Sequence, residues 1–138
     1  MFKIWPLKIW TNKGYSLTPF ELKDHVPFEV KRTYWVTHAA GMTTGQHCHF
    51  VEQEVFVCLQ GSMTAVIDKG NGKEMFEFKE GDVLYAPNFV WHGFENFSAD
   101  AVLFAFSSTN YSADRSDYCE DYEQYVQEYR SKINELDF

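Results

Sequence analysis

The sequence predicts an all-β fold, an antiparallel sandwich or barrel that ends in one α-helix. Three observations carry this expectation. Short runs rich in Val, Phe, Tyr and Trp follow one another through residue 107. Polar turn signals bearing Gly or Asn separate most of them. Past residue 115 the apolar spacing changes from two residues to three and four.

Taken in order, β-type runs are expected at 4–10, 16–21, 29–37, 54–59, 63–68, 74–79, 82–86, 90–95 and 101–107. Turns are expected at Asn12-Lys13-Gly14, Gln60-Gly61-Ser62, Lys69-Gly70-Asn71-Gly72, Glu80-Gly81-Asp82 and Pro87-Asn88. Regular short strands with polar turns are the pattern of antiparallel sandwiches and barrels. In the tail, Tyr118, Tyr122, Tyr125, Val126, Tyr129, Ile133 and Leu136 would share one helix face. A helix is therefore expected over 116–138, capped by Ser116 and Asp117 and covering a barrel of 1–115. No linker, repeat or composition shift divides the chain, so 1–138 reads as a single domain.

The bulk properties narrow the function classes. With 138 residues, 45% hydrophobic and 18% aromatic, the chain is long enough to bury a core. A net charge of -8 argues against nucleic acid and against an anionic membrane surface. It leaves room for an anionic small ligand at a local positive pair such as Lys31-Arg32. No apolar run is long enough for a membrane span, and the first six residues lack a signal-peptide core. Cys48, Cys58 and Cys119 are odd in number and irregular in spacing, which fits a reducing cytoplasm.

Four residues stand out for chemistry. His47 and His49 are two apart, so in a strand they project from one face. Glu54 follows at an odd separation, so a turn must precede its strand, and His92 comes from a distant strand. Three imidazoles and a carboxylate converging inside a barrel make either a metal site or a proton-transfer site. Cys48 points away from its flanking histidines by alternation, and His25 and His38 are expected at the surface.

The spacing around these residues carries a family resemblance. Gly41, His47-x-His49, Glu54 and Gly61 match the first cupin motif. Gly81, Pro87, His92 and Asn96 match the second, with Phe89 where a glycine is usual. The resemblance implies a cupin, jelly-roll β-barrel. The stretch Pro27 to Trp35, with Val57-Cys58-Leu59-Gln60-Gly61-Ser62, Val90-Trp91-His92, Tyr111 and Asp117-Tyr118, resembles the nucleotide-sugar 3,4-ketoisomerases. That likeness runs from about Ser16 to about Tyr125. The chain departs from it in having Lys13-Gly14 for Arg-Gly, Thr43-Thr44 where an arginine is usual, and Glu54 where glutamine is usual.

The resemblance implies an isomerase that moves a keto group between C4 and C3 of a dTDP-linked 6-deoxyhexose in a surface-sugar pathway. It implies no metal, and His47 and His49 facing the hexose. The chemistry needs a group that titrates near neutral pH and donors for an oxyanion. His49 is the expected base, His47 the shuttle or enediolate partner, and Tyr34 a hydrogen-bond donor. Arg32 and Lys13 are expected at the diphosphate, with Trp91 and His92 beside the substrate. Relatives of this kind imply a homodimer that exchanges N-terminal strands, using 4–10. The alternative is a metal-dependent cupin, a dioxygenase or metal-assisted isomerase. There His47, His49, Glu54 and His92 would hold a divalent transition metal. A third reading is a sugar-binding cupin without turnover.

Overall fold

The structure is a computed structural model and describes residues 2–133. The chain runs through β1 (Lys3–Pro6), β2 (Trp10–Asn12), β3 (Tyr15–Leu17), α1 (Leu22–His25), β4 (Arg32–Val36) and β5 (Thr44–His49). It continues through β6 (Glu54–Gln60), β7 (Ser62–Asp68), β8 (Lys73–Lys79), β9 (Asp82–Ala86), β10 (Trp91–Glu95) and β11 (Val102–Ser107). The tail adds β12 (Tyr118–Cys119) and α2 (Tyr122–Gln124). Two five-stranded sheets, β1-β9-β6-β11-β4 and β12-β5-β10-β7-β8, form the jelly roll, and β2 with β3 makes a separate hairpin. No helix among the described residues is long and apolar enough to cross a membrane.

Alternation decides which side chains enter the barrel. On β11, Leu103, Ala105 and Ser107 are buried while Val102, Phe104 and Phe106 face outward. On β4, Tyr34 and Val36 pack on the interior core, while Trp35 is 65% exposed. Phe56, Ile67, Phe78, Leu84, Phe94 and Leu103 fill the interior, each burial stabilising by roughly 1.5–3 kcal/mol. The fill changes along the strands. Arg32, Ser107 and Glu54 form one row across β4, β11 and β6, whereas Val36, Leu103 and Cys58 form another. One end of the barrel is thus polar and the other apolar.

Two glycines bring the histidines together. A Cβ on Gly93 would stand 2.5 Å from the Gln46 nitrogen, and one on Gly45 2.9 Å from the Gly93 Cα. Only glycines let β5 and β10 approach this closely. The register slips between His92 and Gly93, and His47 lies opposite His92.

Several expected elements differ. The run 4–10 breaks after Pro6, because Trp10–Asn12 folds back on Tyr15–Leu17. Lys13 (φ 37) and Gly14 (φ 97) make the turn, the positive-φ pair that a tight hairpin requires. The run 16–21 ends at Leu17 and is followed by the short helix α1. His25 is half-buried rather than at the surface, and its Nδ1 accepts the Trp5 indole N–H at 3.2 Å. His38 is exposed, as expected. Phe89 occupies the usual glycine position at φ 65, a conformation costing roughly 1–2 kcal/mol for a residue with a side chain.

The tail is the largest correction. Tyr118 and Cys119 are a strand, paired with His49 and Cys48 of β5. Ser116 and Asp117 are not helix caps. Asp121 caps α2, accepting the Gln124 N–H at 3.1 Å. After Gln124 the helix widens to a π-helical turn over Tyr125–Tyr129, closed by the Arg130 N–H on the Tyr125 carbonyl at 2.9 Å. Val126 is left 37% exposed there, off the core face. Leu136 and the expected helix over 134–138 lie outside the described residues.

Buried Asp68 fastens this tail to the barrel. Its Oδ2 accepts from Tyr122 OH at 2.7 Å and from Arg130 Nε at 3.0 Å, with Arg130 Nη2 at ion-pair distance, 2.9 Å. Its Oδ1 accepts the N–H groups of Gly70 and Gly72 at 2.8 and 3.2 Å.

Candidate active site

β5 ends on the polar row of the barrel and delivers His47 and His49 there. Glu54 opens β6 after a four-residue turn, so its side chain returns to the histidines. His92 is the second residue of β10 and Tyr34 sits mid-way along β4. The Glu54 carboxylate joins them, accepting Tyr34 OH on Oε1 at 2.9 Å and meeting His92 Nε2 on Oε2 at 3.0 Å. His92 Nδ1 lies 3.0 Å from the Val90 carbonyl, to which it can only donate. His47 packs edge-on against His49 and His92, with ring centroids 4.6 and 4.9 Å apart.

His49 is enclosed by carboxylates. Its Nε2 is 3.0 Å from Glu52 and 3.7 Å from Glu54, and its Nδ1 is 3.4 Å from Asp117. The Nδ1 contact lacks hydrogen-bond geometry, so that atom is buried without a partner. Asp117 has its own task, accepting the N–H groups of Phe50, Val51 and Glu52 at 3.1, 2.7 and 2.9 Å. The Tyr118 ring then lies against both His47 and His49, at 4.8 and 4.5 Å.

Burial and neighbours set the protonation states. Burial, reinforced by the charges of His92 and His49, pushes His47 down to about 2. Burial also lowers His49, against the opposing pull of Glu54, Glu52 and Asp117. Burial pushes Glu54 up, but the His92 bond, the charges of His92 and His49 and the Tyr34 bond outweigh it and hold it at about 2. Burial and the adjacent Glu54 raise the Tyr34 hydroxyl well above its ordinary value, so it stays a donor.

Two cavities flank this cluster. One of about 100 Å³ is lined by His47, Glu54, His92 and Tyr34 together with Val36, Phe56, Phe94 and Leu103. A smaller one at the polar end, about 30 Å³, is lined by Arg32, Glu52, Tyr111, Arg115, Asp117 and Tyr118. The ligand atoms of His47, His49, Glu54 and His92 lie within 4.8 Å of one another. With His92 Nδ1 held by a carbonyl, its Nε2 faces the centre of the set, as in metal-binding histidines. The donor set fits a divalent transition metal.

Residues 2–130 match the family described as FdtA: WxcM-like, C-terminal. The chain belongs to that FdtA family. It is 34% identical over 113 residues to the TDP-4-oxo-6-deoxy-alpha-D-glucose-3,4-oxoisomerase of Aneurinibacillus thermoaerophilus, covering 80% of this chain and 79% of that protein. It superposes on the sugar 3,4-ketoisomerase QdtA from Thermoanaerobacterium thermosaccharolyticum in complex with TDP. The TM-score is 0.83 at 28% identity, covering 95% of this chain and 96% of that one. A histidine-to-asparagine variant of QdtA with TDP-4-keto-6-deoxyglucose matches with a TM-score of 0.81 at 27% identity, covering 95% of each chain.

In this FdtA-family barrel, His47, His49, Glu54, His92 and Tyr34 come together as the sequence predicts. Arg32 lies on the rim of the same end, its Nη2 held by Glu52 at 2.5 Å. Lys13 stands on the tip of the exposed β2–β3 hairpin and lines neither cavity. Trp91 is corrected from a substrate contact to a core residue. It is 2% exposed and packs on Tyr122 and Tyr125 under the tail, at 5.1 and 5.3 Å. Cys48 points into that same core, away from the histidines. Sequence reasoning missed Glu52, Arg115, and the roles of Asp117 and Tyr118. Arg115 lies 4.0 Å over the Tyr118 ring. No local signal marks Glu52, and the helix-like spacing of the tail hid Tyr118.

Proposed function

We propose that this chain is a nucleotide-sugar 3,4-ketoisomerase that moves the keto group of a TDP-linked 4-keto-6-deoxyhexose from C4 to C3. The mixed lining of the cavity carries the reading. Its apolar residues Val36, Phe56, Phe94 and Leu103 suit the C6 methyl of a deoxy sugar. Its polar residues His47, His92, Glu54 and Tyr34 suit the carbons that exchange protons. The QdtA complexes with TDP and with TDP-4-keto-6-deoxyglucose support the ligand class.

The reaction removes the proton at C3, forms an enediolate and returns a proton at C4. His49 is the base. Glu52, Glu54 and Asp117 favour its imidazolium, whereas His47, held down at about 2, retains a proton poorly. A proton that reaches His47 on the cavity wall therefore passes on to His49. Tyr34 donates to the developing oxyanion. Arg32 meets the diphosphate at the rim. We place the enzyme in the cytoplasm, where its three buried cysteines stay free thiols.

A homodimer belongs to this reading. β1 pairs with β9 of its own chain, but the β2–β3 hairpin pairs with no other strand among the described residues and exposes Trp10, Tyr15 and Leu17. An exposed strand edge with apolar side chains calls for a partner. Docked on a second copy, the hairpin would carry Lys13 to that copy's diphosphate. Light scattering should report a dimer at micromolar concentration, and a monomer would contradict this.

The four-donor geometry favours one second reading. His47, His49, Glu54 and His92 would hold a divalent transition metal, which would supply a Lewis acid for the enediolate. Chelator with and without added Fe(II), Mn(II) or Zn(II) separates the two. The isomerase reading itself is tested by incubation with TDP-4-keto-6-deoxyglucose and product NMR. A 3-keto isomer is expected. Recovery of unchanged sugar despite TDP binding would make the protein a binding module.

A further inference from the structure

His47 lines the larger cavity, yet it is held differently from its neighbours there. Glu54 and the Val90 carbonyl engage the two nitrogens of His92. Among the described residues no side chain or backbone group hydrogen-bonds the His47 imidazole, so packing sets the angle of its ring. Three rings do this. His49 and His92 stand edge-on to it, with centroids 4.6 and 4.9 Å away, and Tyr118 meets it at 4.8 Å and 73°. Tyr118 also abuts His49, at 4.5 Å. It is the one of the three that stands outside the histidine cluster. Edge-to-face contacts of this kind are worth about 0.5–1.5 kcal/mol beyond burial.

Tyr118 is itself fixed. It lies opposite His49 across β12 and β5, which puts its side chain on the histidine face of the sheet. Its N–H donates to the Arg115 carbonyl at 3.2 Å. The Arg115 guanidinium lies 4.0 Å over its ring, a cation–π contact. Glu120 braces that guanidinium, accepting from Nε at 2.9 Å and from Nη2. Arg115 also has φ 54, uncommon for a residue with a side chain, in a turn closed by its N–H on the Ser112 carbonyl at 3.3 Å. Such outliers gather at sites where a side chain has to be aimed. We propose that Tyr118, capped by Arg115, is a positioning residue that holds the His47 ring at a fixed angle between the cavity and His49. The assignment rests on the isomerase reading above, in which His47 passes a proton to His49.

Removing the ring tests it. Tyr118→Leu should lower kcat about 10²-fold, the cost of misplacing a reacting group by roughly 1 Å, with KM for TDP-4-keto-6-deoxyglucose nearly unchanged. Tyr118→Phe, which keeps the ring, should recover most of that kcat. Arg115→Met, on the exposed turn, should lower kcat about 2–5-fold at preserved Tm, the rate equivalent of an exposed cation–π contact, and Arg115→Lys should regain part of it. Proton NMR of the imidazoles reads the ring directly. The His47 carbon-bound ring protons should give sharp signals in the wild-type protein and in Tyr118→Phe, and exchange-broadened ones in Tyr118→Leu. A raised KM at unchanged kcat would make Tyr118 a substrate contact, and a lowered Tm at unchanged kcat a structural residue only. Either result overturns the proposal, as do sharp His47 signals in Tyr118→Leu. Should that variant fail to fold, Arg115→Met decides, and unchanged kcat with unbroadened His47 signals would overturn the proposal. If the wild-type enzyme turns over no sugar nucleotide, the isomerase reading fails instead, and the NMR comparison still decides whether Tyr118 holds His47.

Discussion

Two buried carboxylates of this barrel show what separates a structural anchor from a reactive site. Asp68, at the end of β7, is fully buried and accepts four hydrogen bonds, from two backbone amides, a tyrosine and an arginine. Its donors are fixed or permanently charged, and Tyr122 and Arg130 form one closed set with it. Glu54, at the start of β6, is buried to the same degree, but its partners are Tyr34 and His92. Two of its neighbours, His47 and His49, can change protonation, and a cavity opens beside it. Saturation holds the tail on the barrel, while incomplete saturation leaves room for a substrate and mobile protons.

The difference can be broken from either side, and the largest effect is expected at the reactive one. His49→Asn should lower isomerisation about 10²–10⁴-fold, the range for loss of a general base. TDP binding and Tm should be preserved, as isothermal titration and thermal unfolding would show. At the anchor, Asp68→Ala should cost about 3–5 kcal/mol of stability, because it leaves Arg130 charged and partly buried without its partner. Denaturant unfolding measures this. The folded fraction should keep its kcat, so lost activity at unchanged stability would erase the distinction.

The two sites also differ in what the sequence discloses. Strands β6 to β11 lie within one residue of expectation, because their alternation and their turns are local signals. The His-x-His pair, Glu54 and His92 were legible for the same reason, since strand spacing fixes which way they point. Tyr118 was not. Its distance to Tyr122 and Tyr125 satisfies a helix, and only pairing with His49 on remote β5 makes it a strand residue. Glu52 was hidden because its burial depends on Arg32 and Ser107, far away in the chain. Asp68 reads locally as a strand end, and nothing near it announces Arg130.

Smaller effects sharpen the contrast. Burial pushes Asp68 up, but its bonds to Gly70, Tyr122 and Gly72 and the charge of Arg130 outweigh this and lower its pKa. A carboxylate lowered in the folded state stabilises fully above its unfolded value and loses that contribution as pH falls through the folded value. Acid unfolding should therefore steepen below about pH 4, and Asp68→Asn should flatten that limb. Tyr125→Phe removes the bond to the Phe89 carbonyl, 2.6 Å long, and should cost about 1 kcal/mol in Tm-derived stability without touching kcat. Smallest of all is Glu54→Gln, which should keep much of the activity if the family's usual glutamine serves here.

The central claim is that histidine, not a metal, moves the proton. The most direct measurement follows TDP-4-keto-6-deoxyglucose by NMR in deuterium oxide, with chelator present, for wild-type enzyme and His49→Asn. The account predicts a 3-keto product carrying solvent deuterium at C4, formed at an unchanged rate with chelator and absent with the variant. A rate that collapses with chelator and returns with Fe(II), Mn(II) or Zn(II) would contradict it, as would product formed without solvent deuterium.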